Sequence, residues 1–233
     1  MPGAGGGGAG RGDTQREDAE HSDAEHGDTA VRRLQDAVGR LAAQTRGRPR
    51  TGRSHQDADD ITGTAATDDA VGYDPLPLLR AFSAAGARMV VIGQTAGIMH
   101  GSAELTGDLD LLWDGTAGQA AAVAAAFAQA GAELTGDDGR PVPCTAAGLG
   151  GPKVLFRTAA ASGDCCTPAL PWGPVRTDLM LARCQVAAGP GGFAVYYLSR
   201  PDLIGMRRAA GRVKDLRRAR ELEQLAPGPG SGR

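Results

Sequence analysis

The chain has 233 residues and a formal net charge of −2. This length accommodates one domain of about 100 to 200 residues with additional tails. Because basic and acidic residues are segregated along the chain, the net charge neither favours nor excludes nucleic acid as a partner. The sequence has no apolar run of about 18 residues and no apolar signal core near its start, so we expect a cytoplasmic protein without a membrane anchor.

Cysteine usage agrees with that compartment. The four cysteines lack the C-x-x-C spacing of a zinc site, and two of them are adjacent in sequence, which is awkward for a disulfide framework: Cys144, Cys165, Cys166 and Cys184. We therefore expect free thiols.

Residues 1–72 are predicted to be a low-complexity, mostly disordered tail, because the segment is polar, Gly-rich and divided into opposing charge blocks. One part differs. Apolar residues recur at spacings of three and four over residues 30–44, which predicts an amphipathic helix: Val31, Leu34, Val38 and Leu41.

A basic segment, residues 46–53, follows this helix and contains the Arg-Gly-Arg-Pro core of an AT-hook. Such a segment can place Arg side chains in the narrow minor groove of A·T-rich DNA. The alternative is a basic linker, since Arg-rich composition makes a chance match easy. Residues 54–74 are acidic, and the two blocks can neutralise one another.

A folded domain is expected over residues 73–226, followed by a flexible tail at 227–233. Apolar periodicity and Gly or Pro punctuation predict its first elements in chain order: a helix from Asp74 to Gly86, a strand at 88–92, a short helix at 94–100, a strand at 108–113 and a helix at 117–130.

The second half gives weaker patterns. Loops are predicted at 136–151 and 161–174, strands at 154–156, 175–181 and 193–198, and helices at 201–210 and 212–225. Because helices alternate with strands, the predicted class is α/β or α+β, with a mixed sheet flanked by helices.

Asp108 and Asp110 lie two residues apart in an apolar run. Side chains alternate faces along a strand, so both carboxylates project from the same face, about 7 Å apart along the chain. This geometry suits a divalent metal ion. A solvated strand edge is the alternative for this pair taken alone.

Three motifs follow one another in the first half of the predicted domain. A strand ends at Gly93-Gln94, a short helix leads to Gly101-Ser102, and the Asp108-x-Asp110 pair follows on the next strand. This order resembles the nucleotidyltransferase superfamily that includes DNA polymerase β. Within this superfamily the chain is most similar to the small bacterial nucleotidyltransferases of toxin–antitoxin and abortive-infection systems. The resemblance covers roughly residues 73–225.

This resemblance implies a set of functional residues. Asp178, in the predicted strand 175–181, fits the third catalytic and metal-binding carboxylate beside Asp108 and Asp110. Four residues are expected to bind the nucleotide: Gly93, Gln94, Ser102 and Lys214. Mg²⁺, or Mn²⁺ in its place, would be the cofactor, because two such ions can stabilise both the attacking and the leaving oxygen of a phosphoryl transfer.

The implied activity is transfer of a nucleoside monophosphate from a nucleoside triphosphate such as ATP to RNA (tRNA in particular), protein or a small molecule. A cognate toxin or antitoxin is the expected protein partner. Two departures from the family pattern bear on activity: Gln94 replaces Gly or Ser, and Glu104 lies near a position that often carries Arg. Basic residues elsewhere are candidates to compensate: Arg88, Arg176, Arg207, Arg208 and Arg212.

Two other functions stay open. The chain is alternatively a catalytically degenerate protein that binds nucleotide or a partner without turnover, or a DNA-associated regulator acting through residues 31–53. A cluster of basic residues near the C-terminus suits tRNA, but it equally suits a solvated helix face.

Overall fold

The computed structural model of the protein describes residues 12–226, and these contain one eight-stranded mixed sheet flanked by helices. The strands, in chain order, are β1 (Val90–Val91), β2 (Leu111–Leu112), β3 (Glu133–Gly136), β4 (Pro141–Val142), β5 (Lys153–Arg157), β6 (Ser162–Cys166), β7 (Gln185–Ala188) and β8 (Ala194–Tyr197). Their spatial order is β4-β3-β5-β6-β2-β1-β8-β7. The β1–β8 and β2–β6 pairs are parallel, and the other pairs are antiparallel.

The α-helices of the described region are α1 (Gly12–Thr45), α2 (Leu76–Ala84), α3 (Gly93–Met99), α4 (Ala117–Gln129), α5 (Thr177–Ala182), α6 (Arg200–Ala210) and α7 (Val213–Gln224). The predicted mixed α/β class is therefore confirmed. None of these helices combines the length and the apolar character that a membrane crossing requires.

The central strands are short and entirely buried. Val90, Val91, Leu111 and Leu112 have no exposed surface. Burial on both faces explains why these strands are continuous apolar runs without polar alternation. Residues at their ends are therefore held on a rigid frame.

The helix predicted at 30–44 is confirmed as part of α1. Apolar residues at spacings of three and four are buried against the domain: Ala30, Val31, Leu34, Ala37 and Leu41. The helix packs on α3 and β7. Its apolar stripe thus belongs to the core of the domain.

Residues 46–72, expected to be disordered, instead pack against the domain. The Arg48 guanidinium donates to the carbonyl oxygens of Ala65 (2.8 Å) and Thr67. The Asp68 carboxylate accepts from the backbone amide of Gly52 (2.8 Å). The opposing charge blocks therefore bind one another, and the segment includes three short 3-10 helices: His55–Asp57, Thr64–Ala66 and Asp68–Ala70. The disorder predicted for residues 1–11 and 227–233 falls outside the described residues.

Three predictions in the second half were wrong. The loops predicted at 136–151 and 161–174 contain strands β4 and β6, and the strand predicted at 175–181 is the short helix α5. Strand β6 escaped prediction because Gly163 interrupts it. A Cβ atom at Gly163 would lie 2.1 Å from the carbonyl oxygen of Leu109, so only glycine fits this close approach of two chains.

Candidate functional site

The sheet brings three carboxylates to one region of the molecule. Asp110 directly precedes β2, and Asp164 lies within β6. Because β2 and β6 are parallel and Leu111 pairs with Cys165, Asp110 and Asp164 occupy adjacent positions in the register. Both line a cavity of about 540 Å³ and a second one of about 350 Å³, and Asp108 lines the smaller cavity.

Asp178 is not part of this cluster. It lies on α5, its side chain is exposed, and it forms an ion pair with Arg176, with an Nη2–Oδ2 distance of 2.6 Å. It lines neither cavity that Asp110 and Asp164 line. The expectation that Asp178 lies beside Asp108 and Asp110 is therefore wrong, and the third carboxylate near them is that of Asp164.

Only glycine fits at position 93, because the backbone there lies directly against the Asp110 side chain. The backbone of Gly93 has φ +62°, and an added Cβ atom would lie 2.0 Å from Oδ2 of Asp110. A larger residue would displace the carboxylate and strain the backbone. Gly93 lines the larger cavity, so the structure places this sequence-predicted residue beside the carboxylates.

Gln94 and Ser102 form a buried polar network instead of presenting free donors. The Gln94 amide nitrogen donates to the Ser102 hydroxyl (2.9 Å) and to the carbonyl oxygen of Glu104 (2.8 Å). Its amide oxygen accepts from Arg207 (2.8 Å), and the Ser102 hydroxyl donates to the Glu221 carboxylate (2.8 Å). These contacts tie α3 to α6 and α7, which gives Gln94 and Ser102 a positioning role. Nucleotide contact by either residue stays a prediction.

The carboxylates of the cluster differ in their protonation. Burial, together with the neighbouring charges of Asp108 and Asp164, raises the pKa of Asp110 well above its usual range. Burial also acts to raise the pKa of Asp164, but His55 and Lys153 outweigh it and hold that pKa low. Like charges crowded in a buried site favour the entry of a cation or a proton.

His55 is a member of this site that sequence reasoning missed. Its Nδ1 atom lies 2.8 Å from Asp69, which also accepts from Arg157 (2.7 Å). Its Nε2 atom lies 3.7 Å from Oδ1 of Asp164. Burial opposes protonation, but Asp164 and Asp69 outweigh burial and raise the pKa of His55 to about 10, so the ring is an imidazolium at neutral pH.

Basic side chains surround the carboxylates. Lys153 lies 3.6 Å from Asp164, and Lys214 lies 3.0 Å from Asp60. Together with Arg212 and Arg218 these lysines line the 350 Å³ cavity that Asp108 and Asp110 also line, and nucleotide binding by Lys214 stays a prediction. The cavity thus combines carboxylates with cations that suit phosphate groups.

The segment before α2 covers part of the cluster. The Thr64 hydroxyl donates to Oδ1 of Asp108 (2.8 Å), and the Thr106 hydroxyl donates to the same oxygen. The backbone amide of Gly107 donates in turn to the Thr64 hydroxyl (3.0 Å). Asp108 thus accepts from Thr64 and Thr106, and Asp164 forms an ion pair with His55, so two of the three carboxylates already contact groups of the protein.

A metal ion fits the chemistry of the cluster but not its present side-chain arrangement. Among the described residues, no three His, Cys, Asp or Glu side chains are positioned to hold one ion together. The donors are nevertheless the oxygen ligands that Mg²⁺ prefers. Oδ1 of Asp164 is buried without a hydrogen-bond partner in the described part of the chain. A bound ion therefore requires the side chains of the cluster to change their present arrangement.

The larger cavity also has an apolar wall. The side chains on this wall come from β1, α6 and the loop after β6: Ile92, Leu170, Trp172, Leu203 and Met206. A flat, largely apolar group such as a nucleobase suits this wall, while the carboxylates and cations lie at the other side of the same cavity.

The remaining basic residues are mostly engaged within the protein. Arg208 pairs with Glu223, Arg212 with Asp215, and Arg217 and Arg218 with Glu104. Among the residues proposed to compensate for Glu104, Arg88 donates to the carbonyl oxygen of Leu181, away from the cavity, and Arg176 pairs with Asp178. Only Arg207 and Arg212 of that set line the larger cavity.

Comparison of the chain with protein-family models, with curated proteins and with solved structures found no match in any of the three.

Proposed function

We propose that the protein is a metal-dependent nucleotidyltransferase that transfers a nucleoside monophosphate from a nucleoside triphosphate to a hydroxyl-bearing acceptor. One observation carries this proposal: Asp108, Asp110 and Asp164 share a cavity with four basic side chains, namely Lys153, Arg212, Lys214 and Arg218. Carboxylates and cations in one cavity provide for both the metal and the triphosphate that this reaction needs.

The two cavities together fit a whole nucleoside triphosphate. The phosphates lie among the basic side chains, where Lys153 and Arg212 neutralise their charge. The base lies against the apolar wall near Trp172 and Met206. Both cavities share Asp110, Asp164 and Lys153, so the phosphates and the base are bound in one continuous space.

Mg²⁺ or Mn²⁺, held by Asp108, Asp110 and Asp164, would supply charge neutralisation and activate the attacking oxygen. The chain's own residues supply the rest. Gly93 leaves room for the Asp110 carboxylate, and the network around Gln94 fixes the start of α3. Asp108 accepts hydrogen bonds from hydroxyl groups, which is the contact an acceptor hydroxyl needs before it loses its proton.

A second candidate function is nucleotide binding without turnover. The engagement of Asp108 by Thr64 and of Asp164 by His55 favours it, because both carboxylates are occupied by the protein's own groups. A DNA-binding role for residues 46–53 has less support. Arg48 and Arg53 donate to carbonyl oxygens of the acidic segment 54–74, at Ala65 and Asp57 among others, and so are not free for the minor groove.

The acceptor is proposed as RNA, protein or a small molecule, in a toxin–antitoxin or phage-defence setting. A tRNA acceptor gains little from the basic C-terminal helices, because most of their basic side chains pair with carboxylates. A protein acceptor, including a cognate toxin or antitoxin, needs no such basic face.

Labelling with each α-labelled nucleoside triphosphate, in the presence of Mg²⁺ or Mn²⁺ and a cell extract, tests the proposal. We expect wild type to label a macromolecule and Asp164→Asn to reduce labelling by on the order of a thousandfold, or about 4 kcal/mol in the barrier. Asp178→Asn makes the same substitution on exposed α5 and should leave labelling unchanged. Nucleotide binding without labelling by wild type would favour the second candidate.

A further inference from the structure

The hydroxyl group of Thr64 lies where a nucleotidyl acceptor has to be. It donates a hydrogen bond to Oδ1 of Asp108 at 2.8 Å, and the residue lines the 350 Å³ cavity together with Asp110, Asp164 and Lys214. The Gly107 amide donates to the Thr64 oxygen (3.0 Å) and fixes its position, and the Thr106 oxygen lies 2.8 Å away. A hydroxyl is thus held between a carboxylate that can take its proton and cations that can hold a triphosphate.

We infer that Thr64 is a self-modification site, at which the protein attaches a nucleoside monophosphate to its own chain. This inference rests on the proposed nucleotidyltransferase function and names an acceptor for it. The Thr64 oxygen attacks the α-phosphorus of a nucleoside triphosphate and forms a phosphodiester bond. The bond from the α-phosphorus to the β-phosphate oxygen breaks, pyrophosphate leaves, and the Thr64 proton passes to Asp108.

The neighbouring hydroxyl groups are less suited to this reaction. Thr106 also contacts Asp108, but it is buried, with 3% of its surface exposed, in the chain that leads directly to β2. Thr67 is completely buried and donates to the carbonyl oxygen of Thr64. Thr62 is exposed and donates to Asp59, away from the carboxylate cluster. Thr64 alone of these four combines partial exposure with the contact to Asp108.

The segment that carries Thr64 is anchored by the residues that follow it, which keeps the hydroxyl at a high effective concentration. Arg48 donates to the carbonyl oxygen of Ala65, and Asp69 pairs with Arg157 on β5 at 2.7 Å. Asp60, in the same segment, pairs with Lys214. A phosphate group that replaced the Asp60 carboxylate as the partner of Lys214 would let the triphosphate enter the cavity. The anchors at Ala65 and Asp69 would still hold Thr64 near Asp108.

The test uses the full-length protein with each of the four nucleoside triphosphates and Mn²⁺, in the absence of other macromolecules. We expect the intact mass to increase by one nucleoside monophosphate. Trypsin cleavage after Arg53 and Arg80 releases residues 54–80, and fragmentation of this peptide should place the added mass on Thr64. The rate per molecule should not change with protein concentration, because the acceptor and the site belong to one chain.

Matched variants separate the acceptor from its neighbours. Thr64→Val should lower self-labelling at least tenfold, whereas Thr64→Ser, which keeps a hydroxyl, and Thr62→Val should retain it. Melting temperatures check that each variant is folded. Added mass on Thr62, Thr67 or Thr106 of wild type, or undiminished labelling of folded Thr64→Val, would overturn the inference without the need for any other variant.

Addition of a cell extract distinguishes two kinds of failure. Labelling of extract components by a protein whose Thr64 stays unmodified overturns self-modification and leaves the proposed function standing. The absence of labelling anywhere, with every nucleotide and either metal, overturns both.

Discussion

Two buried polar clusters meet at the start of α3, and they differ in how well their polar atoms are hydrogen-bonded. Around Gln94, both ends of the amide have partners, with Ser102 and Arg207 among them. Around Asp164, two buried side-chain atoms, Nε2 of His55 and Oδ1 of Asp164, have no hydrogen-bond partner in the described part of the chain and face one another only as an ion pair at 3.7 Å.

This difference separates a structural cluster from a candidate reactive one. A fully paired network holds elements in place, whereas unpaired buried atoms and crowded like charges cost free energy unless a ligand compensates them. In the second cluster the pKa of Asp110 is raised and that of His55 is about 10. Perturbations of this kind are typical of functional sites. Variants of the two clusters should therefore behave in opposite ways.

The largest effect is expected from Asp110→Asn in the carboxylate cluster. Labelling should fall on the order of a thousandfold, because a metal ligand is lost. The metal-free variant should be no less stable than wild type, since burial and its neighbours already favour the neutral form of Asp110 and Asn has nearly the same shape. Urea unfolding and the labelling rate measure the two effects. A marked loss of stability would place Asp110 with the structural cluster.

Arg207→Ala in the paired cluster should lower the free energy of unfolding by about 3 kcal/mol. Arg207 is buried and donates to the carbonyl oxygens of Gly93 and Arg218 as well as to Gln94, so its removal leaves several buried acceptors unpaired. Burial first, and then the charge of Arg218, lowers the pKa of Arg207 to about 10, which still leaves it charged at neutral pH.

Arg208→Ala is the matched control for that variant. Arg208 is the next residue on α6, but its side chain is 63% exposed and pairs with Glu223. Surface pairs of this kind contribute roughly 0 to 1 kcal/mol. Urea midpoints of the two variants should differ clearly, and equal midpoints would contradict the structural role assigned to the Gln94 network.

A smaller, pH-dependent effect should come from His100 at the end of α3. Burial first, and then nearby arginines, lowers its pKa to about 4, and its Nε2 lies 2.8 Å from the carbonyl oxygen of Leu198. The unfolded chain binds the proton near pH 6.5, so it binds more protons than the folded one between pH 4 and 6.5. Stability should therefore fall by roughly 2 to 3 kcal/mol as the pH drops from 7 to 4.

His100→Gln tests this pH effect directly. Gln keeps a donor for Leu198 but does not titrate, so the contribution of residue 100 to the pH dependence should disappear in urea unfolding measured at pH 7, 5.5 and 4. An unchanged pH dependence in the variant would assign the acid sensitivity between pH 7 and 4 to groups other than His100.

The sequence predicted the part of the site that is local in the chain. Gly93, Asp108 and Asp110 lie at the ends of two apolar runs that are buried strands, and their positions follow from strand and turn patterns alone. The amphipathic pattern at 30–44 likewise identified a helix whose apolar face reaches the core. These predictions succeeded because each depends on neighbours within a few residues.

The missing site residues depend on contacts between distant parts of the chain. Asp164 reaches the cluster through the pairing of β6 with β2, and neither the small residues nor Gly163 in β6 gives a strand pattern. His55 and Thr64 lie in a segment whose composition predicts a linker, yet they contact residues more than 40 positions away. Asp164 is the single carboxylate in an otherwise uncharged stretch, and this was the one sequence feature that could have identified it as a site residue.

The smallest predicted effect concerns the hydrogen bond from Thr64 to Asp108. Thr64→Val removes this bond, which is worth about 1 kcal/mol or somewhat more for a charged acceptor. The free energy of unfolding of the metal-free protein, measured in urea, should therefore fall by about 1 kcal/mol. The apparent Mg²⁺ affinity, measured from the rise in melting temperature with Mg²⁺ concentration, should change little, because self-modification requires Thr64 to stay on Asp108 while the ion is bound. Thr62→Val, in the same segment but bonded to Asp59, should also leave the affinity unchanged. A clear increase in the Mg²⁺ affinity of folded Thr64→Val would mean that Thr64 competes with the ion for Asp108, and it would contradict the role of Thr64 as the acceptor.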